Sequence, residues 1–472
     1  MKTRLLILFL FLGFQLFAIE KPEPLTDDYV NNDYTGNWGQ LRLDGTKLVS
    51  EEGCPVQLKG WSTHGLNYGN AVLANTFNSE AGFRGMKSFG ANVARIAAYA
   101  SCRDGITTQK MEDIIEWVKN CMKWTHDLKM YCIVDYHMLY PGLPTRYLSG
   151  GDAITGISYF EGSGIGADDF FTEICMEVQK KGYTHVIYEI CNEPNERERA
   201  TDTDNQWRNI ETWQKVQEYA NTILPIIGAV NSNAVVIVGT PQWDQLLSSA
   251  VSRKIVKPAA FPDLNIMYAF HYYACSHGPL AYTNPQSSPL ENQLKKYSSQ
   301  IPVFATEWSL TGADGKGGPC YEDTDKFINF CSDEKISWCS WSWSGALENS
   351  AALVNPGDYT DSYTYDFDRD LKMPAGKYVA GKLQENNNWC GTSLLQIRKS
   401  QSVISNPAFN GILKVFYSKP AMLVVSDIKG QSLFSVAIAD GYSSVDTQLP
   451  AGIYFVSIRS DDDFLTQKVI IE

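Results

Sequence analysis

Between residues 36 and 385, short apolar runs alternate with longer segments in which apolar residues recur every three or four positions. Eight runs stand out, at 56–61, 92–98, 130–136, 186–191, 234–239, 265–270, 302–306 and 337–342. They are short and nearly uninterrupted, which is how strands covered on both faces read. The segments 107–126, 168–180 and 205–227 carry helical spacing instead. Strand runs each followed by helical pattern predict an α/β fold, a closed (β/α)8 TIM barrel. An open doubly wound sheet needs a glycine-rich turn after its first strand, and Gly-x-Gly-x-x-Gly is absent there.

The two ends differ from this middle. Residues 1–18 hold Lys2 and Arg4, an apolar run at 5–12 and the small Ala18, the pattern of a secretory signal peptide. Residue 19 is Ile, so a lipoprotein anchor is not indicated, and residues 19–35 read as a flexible polar lead-in. No later segment reaches about 18 uninterrupted apolar residues, so no membrane span is expected. After a linker at 386–400, residues 401–472 carry six short β-type runs, among them 413–417, 422–425, 433–437 and 453–458. Lys429-Gly430, Asp440-Gly441 and Pro450-Ala451-Gly452 punctuate them, predicting hairpins and a small all-β sandwich. A carbohydrate-binding module is the rival for this end, but residues 401–472 contain no Trp.

Composition narrows the function. The 40 Lys+Arg against 53 Asp+Glu give a net charge of −13, which argues against a nucleic-acid partner. The 12 Trp and 25 Tyr serve either a large core or surfaces that stack on sugar rings. Eleven Cys are an odd number, so export permits disulfides but leaves at least one thiol free. Cys132, Cys191 and Cys339 lie in strand-like runs and are expected as buried thiols. No pair has Cys-x-x-Cys spacing, so neither a zinc site nor redox chemistry is expected.

In a barrel the chemistry gathers at the C-terminal ends of the strands. The polar residues there are His64, Arg95 with Tyr99, His137, Asn192-Glu193-Pro194, His271 with Tyr273, Glu307 and Trp341. Any one alone is an ordinary polar edge; together on one rim they form a site. Glu193 and Glu307 each end an apolar strand, and a buried carboxylate is costly unless hydrogen-bonded or protonated. The ordinary alternative for each is a salt bridge to a helix base, yet no basic residue lies in the same strand end. Two carboxyls across a barrel mouth suit glycoside hydrolysis, one protonating the leaving oxygen and the other attacking the anomeric carbon. Pro194 ends its strand and fixes the turn that aims Glu193.

Asn192-Glu193-Pro194, Thr306-Glu307-Trp308, Leu58-Lys59-Gly60 with His64-Gly65-Leu66, and Asn92-Val93-Ala94-Arg95 resemble glycoside hydrolase family 5. The segment from Met267 to Tyr273, and Trp341-Ser342 with Ser350-Ala351-Ala352-Leu353, resemble its bacterial endo-β-1,4-glucanase branch. The resemblance spans about residues 40–385. Separately, Ser405-Asn406-Pro407-Ala408, Asp427-Ile428-Lys429-Gly430 and the segment from Leu449 to Tyr454 resemble the C-terminal sorting domain of type IX secretion.

The family resemblance implies a secreted or cell-surface, retaining, monomeric endo-β-1,4-glucanase acting on β-1,4-glucan, with no metal or other cofactor. Glu193 is then the general acid and later the base, and Glu307 the nucleophile, their carboxyls about 5–5.5 Å apart. Asn192 is expected to bond the sugar 2-hydroxyl, and Arg95 to keep Glu307 ionised. Tyr273 is expected to touch Glu307, and His137 and His271 to bind hydroxyls or orient the carboxylates. Trp341 is the stacking platform, His64 and Tyr99 line the pocket, and Tyr68 and Glu348 are further substrate contacts. Acid and nucleophile of this kind give a bell-shaped pH profile. Tyr68 stands where the family often has Trp, and Ala346 where it often has Lys, which leaves the distal glycone subsite open. Gln242 and Trp243 are the candidates for aglycone contact after the fifth strand.

Other readings stay open at this point. A mannanase, xylanase or xyloglucanase of the same family would share the mechanism. A metal-dependent barrel hydrolase would gather His64, His137 and His271, although Ser62 occupies the place of a first-strand His-x-His pair. A non-catalytic glycan-binding barrel would lack one carboxylate, and both are present.

Overall fold

The computed structural model describes residues 39–51, 53–65, 79–100, 111–140, 142–149, 166–197, 209–277, 290–355, 366–384, 403–404, 412–417, 421–438, 441–459 and 464–471. The expected signal peptide, lead-in and linker, and Tyr68, lie outside these residues. Eight parallel strands close into a barrel in chain order. They are β1 (Lys59–Thr63), β2 (Val93–Tyr99), β3 (Tyr131–His137), β4 (Val186–Glu189), β5 (Val235–Val238), β6 (Asn265–Tyr273), β7 (Val303–Ser309) and β8 (Ser337–Trp343). Each coincides with one of the eight apolar runs. Helices Glu80–Ser88, Met111–Asp127, Ala167–Lys181, Asn209–Val230 and Tyr321–Asp333 follow strands of the barrel and cover it. Ser79 caps the first of these by accepting from the Gly82 amide, and left-handed Gly182 ends the third.

Alternation along each strand divides the core into two layers. On β3, Tyr131 and Ile133 join the inner cluster, whereas Cys132, Val134 and Tyr136 join the outer one against the helices. The hairpin Arg42–Asp44 with Lys47–Val49 brings Leu41 and Leu48 onto the inner cluster beside Val56 and Leu58. The inward positions then turn polar toward the C-terminal ends, running from Val93 to Arg95 and Tyr99, from Ile133 to Asp135 and His137, and from Ile187 to Glu189. Strand β7 breaks the period. It pairs Phe304 with Ala269 and Glu307 with His271, three residues against two, and the register against β8 slips at the same place. This bulge supplies the extra residue that directs Glu307 into the mouth rather than toward the helices.

Residues 403–471 form seven strands among those described, one more than the six runs suggested. β9 (Val403–Ile404), β10 (Ile412–Tyr417) and β13 (Gly441–Asp446) make one antiparallel sheet. β12 (Ser432–Ile438), β11 (Ala421–Ser426), β14 (Gly452–Arg459) and β15 (Phe464–Ile471) make another. Leu413, Val415, Leu423, Val425, Val456, Ile458 and Val469 are buried together between them. Cys132, Cys191 and Cys339 are buried free thiols, while Cys275 and Cys320 form a disulfide. No helix among the described residues is long and apolar enough to cross a membrane.

One close approach of two barrel strands requires a missing side chain. Gly60 pairs with Val93, and a Cβ at Gly60 would lie 1.8 Å from the Val93 carbonyl oxygen. Gly60→Ala must therefore push β1 and β2 apart. It is expected to cost about 3 kcal/mol or more and to lower the thermal midpoint by several degrees in calorimetry.

Candidate active site

At the floor of the barrel mouth, β2 points Arg95 inward, where it is fully buried. A buried guanidinium is tolerable only when its donors are met by acceptors. Nε and Nη2 donate to the two oxygens of Glu189 from β4, at 2.6 and 3.2 Å. Nη2 also reaches Asn192 Oδ1 at 2.7 Å and Asp135 Oδ2 at 2.9 Å, and Nη1 donates to Ser62 Oγ and Glu307 Oε2 at 3.2 and 3.1 Å. Burial opposes its charge, but Asp135, Glu189 and Glu307 outweigh that and hold Arg95 well above its ordinary pKa. The carboxyls fare differently, because one cation faces several of them. Burial pushes Asp135 up to about 7 against the pull of Arg95, with Glu193 adding to the rise. Glu189 is raised chiefly by burial as well.

Above this floor sit the two glutamates. Glu193 follows β4 with φ 46°, a left-handed conformation that costs an L-residue about 1–2 kcal/mol. Its amide donates to Asp244 Oδ2 at 2.8 Å, and Asn195 Nδ2 donates to its carbonyl at 2.9 Å. Glu193 Oε1 lies 2.8 Å from His271 Nδ1. Glu307 accepts a short hydrogen bond from the Tyr273 hydroxyl besides that from Arg95. One oxygen of each glutamate and a ring nitrogen of His271 all lie within 4.8 Å of one another. Burial pushes the Glu193 carboxyl up to about 7, Arg95 opposing and Glu189 adding. Burial also takes His271 down to about 4, so its ring is neutral near neutral pH. Burial, with Glu307 and Glu193 nearby, holds Tyr273 well above its usual range, which keeps its proton available to Glu307. One carboxyl therefore carries a proton near neutrality, while its neighbour is gripped by a cation and a phenol.

These groups open into a cavity of about 570 Å³. His64, Tyr99, His137, Glu193, Tyr273, Glu307, Trp341 and Glu348 line it. Trp341 stacks on His137 at 5.7 Å and 17° and lies 5.0 Å from His64. His137 Nδ1 meets Asp135 Oδ2 at 2.6 Å. His64 Nε2 lies 3.2 Å from Glu348 Oε1, and Ser350 donates to Oε2. Burial raises the Glu348 carboxyl, but hydrogen bonding and charge from His64, with Ser350 and Trp341, outweigh it and hold the group below its ordinary range. A flat aromatic wall rimmed by polar side chains suits a sugar ring.

Three of the residues singled out at the strand ends sit below the cleft and not on its wall. Arg95, Asn192 and His271 are fully buried and act on the carboxylates or on one another. Asn192, read as a partner of a sugar hydroxyl, spends its amide on Arg95, on the Met138 carbonyl and near His137 Nε2. Gln242 is also buried and off the cleft wall, which corrects its reading as an aglycone contact. Gln242, Trp243 and Asp244 are successive left-handed residues, so the chain coils back and presents Trp243 alone to the cavity. His64, His137 and His271 do not gather as a ligand set. The described groups that do gather are Glu189, Asp244 and His271, and Glu193, His271 and Glu307.

The sequence reading missed Asp135, Glu189, Asp244 and Ser62. Two of them carried a signal, since Asp135 lies two residues before His137 and Glu189 two after the inward Ile187, on the same strand faces. Asp244 had none, because its position depends on the left-handed turn.

Comparison with known proteins shows the family. Residues 49–347 match the family model for cellulase, glycosyl hydrolase family 5, and residues 402–472 match that of the secretion system C-terminal sorting domain. An endoglucanase from Clostridium saccharobutylicum is 32% identical over 356 residues, covering 75% of this chain and 67% of that protein. A cellulase from a Thermoanaerobacterium species is 31% identical over 318 residues, covering 66% of this chain and 72% of that one. Among solved structures, the catalytic domain of a Thermobifida fusca endoglucanase in complex with cellotetraose is 25% identical, with a TM-score of 0.58, covering 75% of this chain and all of that one. The catalytic domain of alkaline cellulase K is 26% identical, with a TM-score of 0.60, covering 75% and 96%. The chain belongs to glycosyl hydrolase family 5, the cellulases, and is a glycoside hydrolase carrying a C-terminal sorting domain.

Proposed function

We propose that the protein is a secreted, retaining endo-β-1,4-glucanase in which Glu193 is the acid and base and Glu307 the nucleophile. The observation that carries the mechanism is the close pair of glutamates in unlike surroundings. One carboxyl oxygen of Glu193 lies within 4.8 Å of one of Glu307, which supports direct attack, because in an inverting enzyme the two carboxyls stand about 6.5–9.5 Å apart to admit a water. Glu307 attacks the anomeric carbon as Glu193 gives its proton to the leaving glycosidic oxygen, and the sugar is left as an ester on Glu307. Glu193, now ionised, takes a proton from water, whose oxygen attacks the same carbon and frees Glu307. Arg95 and Tyr273 hold Glu307 in line, Trp341 offers its face to the sugar, and His64, Tyr99, His137 and Glu348 meet hydroxyls. The choice of β-1,4-glucan follows the endoglucanases among the relatives. The domain division follows from the same reading: a signal peptide at 1–18, a lead-in to 35, the catalytic barrel at 36–385, and a linker before a sorting domain at 401–472 for type IX export.

On carboxymethylcellulose the wild type should lower viscosity quickly and release reducing ends, and Glu307→Ala should lose at least about a thousandfold of that activity. The first products should be β-anomers by proton NMR. Early α-anomers would contradict the retaining mechanism, and preference for mannan or xylan would move the specificity.

The acid must hold its proton to act, so activity is lost as Glu193 ionises. With that carboxyl at about 7, kcat/KM on a cello-oligosaccharide should fall as pH rises through about 7. A value flat from about pH 5 to about pH 9 would contradict the assignment.

A further inference from the structure

The turn after β5 places one more carboxyl directly beneath Glu193. Asp244 is fully buried and takes no part in lining the cleft. Gln242, Trp243 and Asp244 have φ of 61°, 56° and 59°. Three such residues in succession are strained unless the surroundings hold them, and backbone strain of this kind concentrates at functional sites. Asp244 is tied at both oxygens, Oδ1 accepting from the Thr240 amide at 2.5 Å and Oδ2 from the Glu193 amide at 2.8 Å. Oδ2 also lies 3.4 Å from His271 Nε2, on the ring whose Nδ1 meets Glu193 Oε1. The contact between the two loops leaves no slack. A Cβ at Gly239 would lie 2.5 Å from the Cys191 carbonyl, 2.7 Å from Pro194 Cδ and 2.9 Å from Asp244 Oδ1.

We propose that Asp244 is a positioning residue for the proton-transfer step, holding the left-handed backbone of Glu193 directly and its carboxyl through the His271 ring. The proposal rests on the reading of Glu193 as general acid. Asp244 touches Glu193 at its amide and, through one imidazole, at Oε1, which leaves Oε2 as the oxygen turned to the leaving group. Burial, with Glu189 nearby, raises the Asp244 carboxyl well above its ordinary range, against the backbone amides of Glu193 and Thr240 that it accepts from. Nε2 faces Asp244 Oδ2 and, at 3.1 Å, the Thr306 hydroxyl, so the ring is held at both nitrogens. With Oε1 engaged by the ring, the transferable proton is taken to be on Oε2. In the step it serves, the Oε2 proton passes to the glycosidic oxygen, the bond from that oxygen to the anomeric carbon breaks, and the bond from Glu307 to that carbon forms.

The test compares two leaving groups, because an acid matters only when the departing oxygen needs a proton. Cellopentaose has a poor leaving group, whereas 2,4-dinitrophenyl β-cellobioside departs without protonation. Asp244→Asn keeps the shape but sets an amide NH₂ against one of the two backbone donors. It should lower kcat/KM on cellopentaose by about tenfold or more, through kcat rather than KM. On the dinitrophenyl substrate kcat/KM should stay within about threefold of wild type. Asp244→Ser, smaller and still able to accept from the Glu193 amide, should show the same split to a lesser degree and covers poor folding of the first variant. Equal losses on both substrates would mark Asp244 as merely structural, and no loss on either would also overturn the proposal. Glu193→Ala serves as the control. If it shows no split, the reading of Glu193 as acid fails, whatever Asp244 does.

Discussion

One buried cation governs the arrangement of this site. Arg95 lies out of contact with water, and three carboxyls on three other strands bind it, Asp135, Glu189 and Glu307. A charge in that position is costly to bury, and its partners repay the cost only if their geometry is held. The closed barrel holds it, since each partner comes from the inward face of a strand whose register is fixed by both neighbours. Loops alone would not fix four charged side chains to within hydrogen-bond reach. The chemistry of the mouth is therefore a consequence of barrel closure as much as of the residues themselves.

The same cation explains why the two glutamates differ. Glu307 takes a hydrogen bond directly from Arg95 and another from Tyr273. Glu193 takes neither and instead rests against a neutral imidazole. Burial is then the dominant influence on it and keeps its proton on to about neutral pH. Two identical side chains thus acquire unlike surroundings, which is what the acid and nucleophile proposed for them require.

Much of this was legible in the residues. All eight barrel strands coincide with apolar runs, because a strand buried on both faces leaves a mark that needs no partner to be read. His64, Arg95, Tyr99, His137, Glu193, Glu307 and Trp341 announced themselves as polar residues at the ends of those runs. What stayed hidden depended on geometry between elements. Period-two alternation counted from Phe304 sends Glu307 outward, and only the bulge reverses it. Asp135 and Glu189 lie inside their strands, where a polar residue reads as an interruption until Arg95 is seen opposite. Asp244 was passed over for Gln242 because nothing in the sequence shows three left-handed residues in a row. Tyr68, read as a distal contact, lies outside the described residues.

The central claim is that Arg95 offsets the buried carboxyls, and the unfolding free energy of Arg95→Met tests it most directly. Tryptophan fluorescence during urea unfolding reports on the barrel, since residues 401–472 contain no Trp. Arg95 lowers Asp135 and Glu189 against the larger rise from burial. Without it their folded-state values climb further above the unfolded ones. The folded variant then binds more protons than its unfolded chain, and its stability falls as pH rises. The account predicts a loss of about 3–5 kcal/mol near pH 8 and a clearly smaller loss near pH 5. A loss of equal size at both pH values, or none at either, would contradict it.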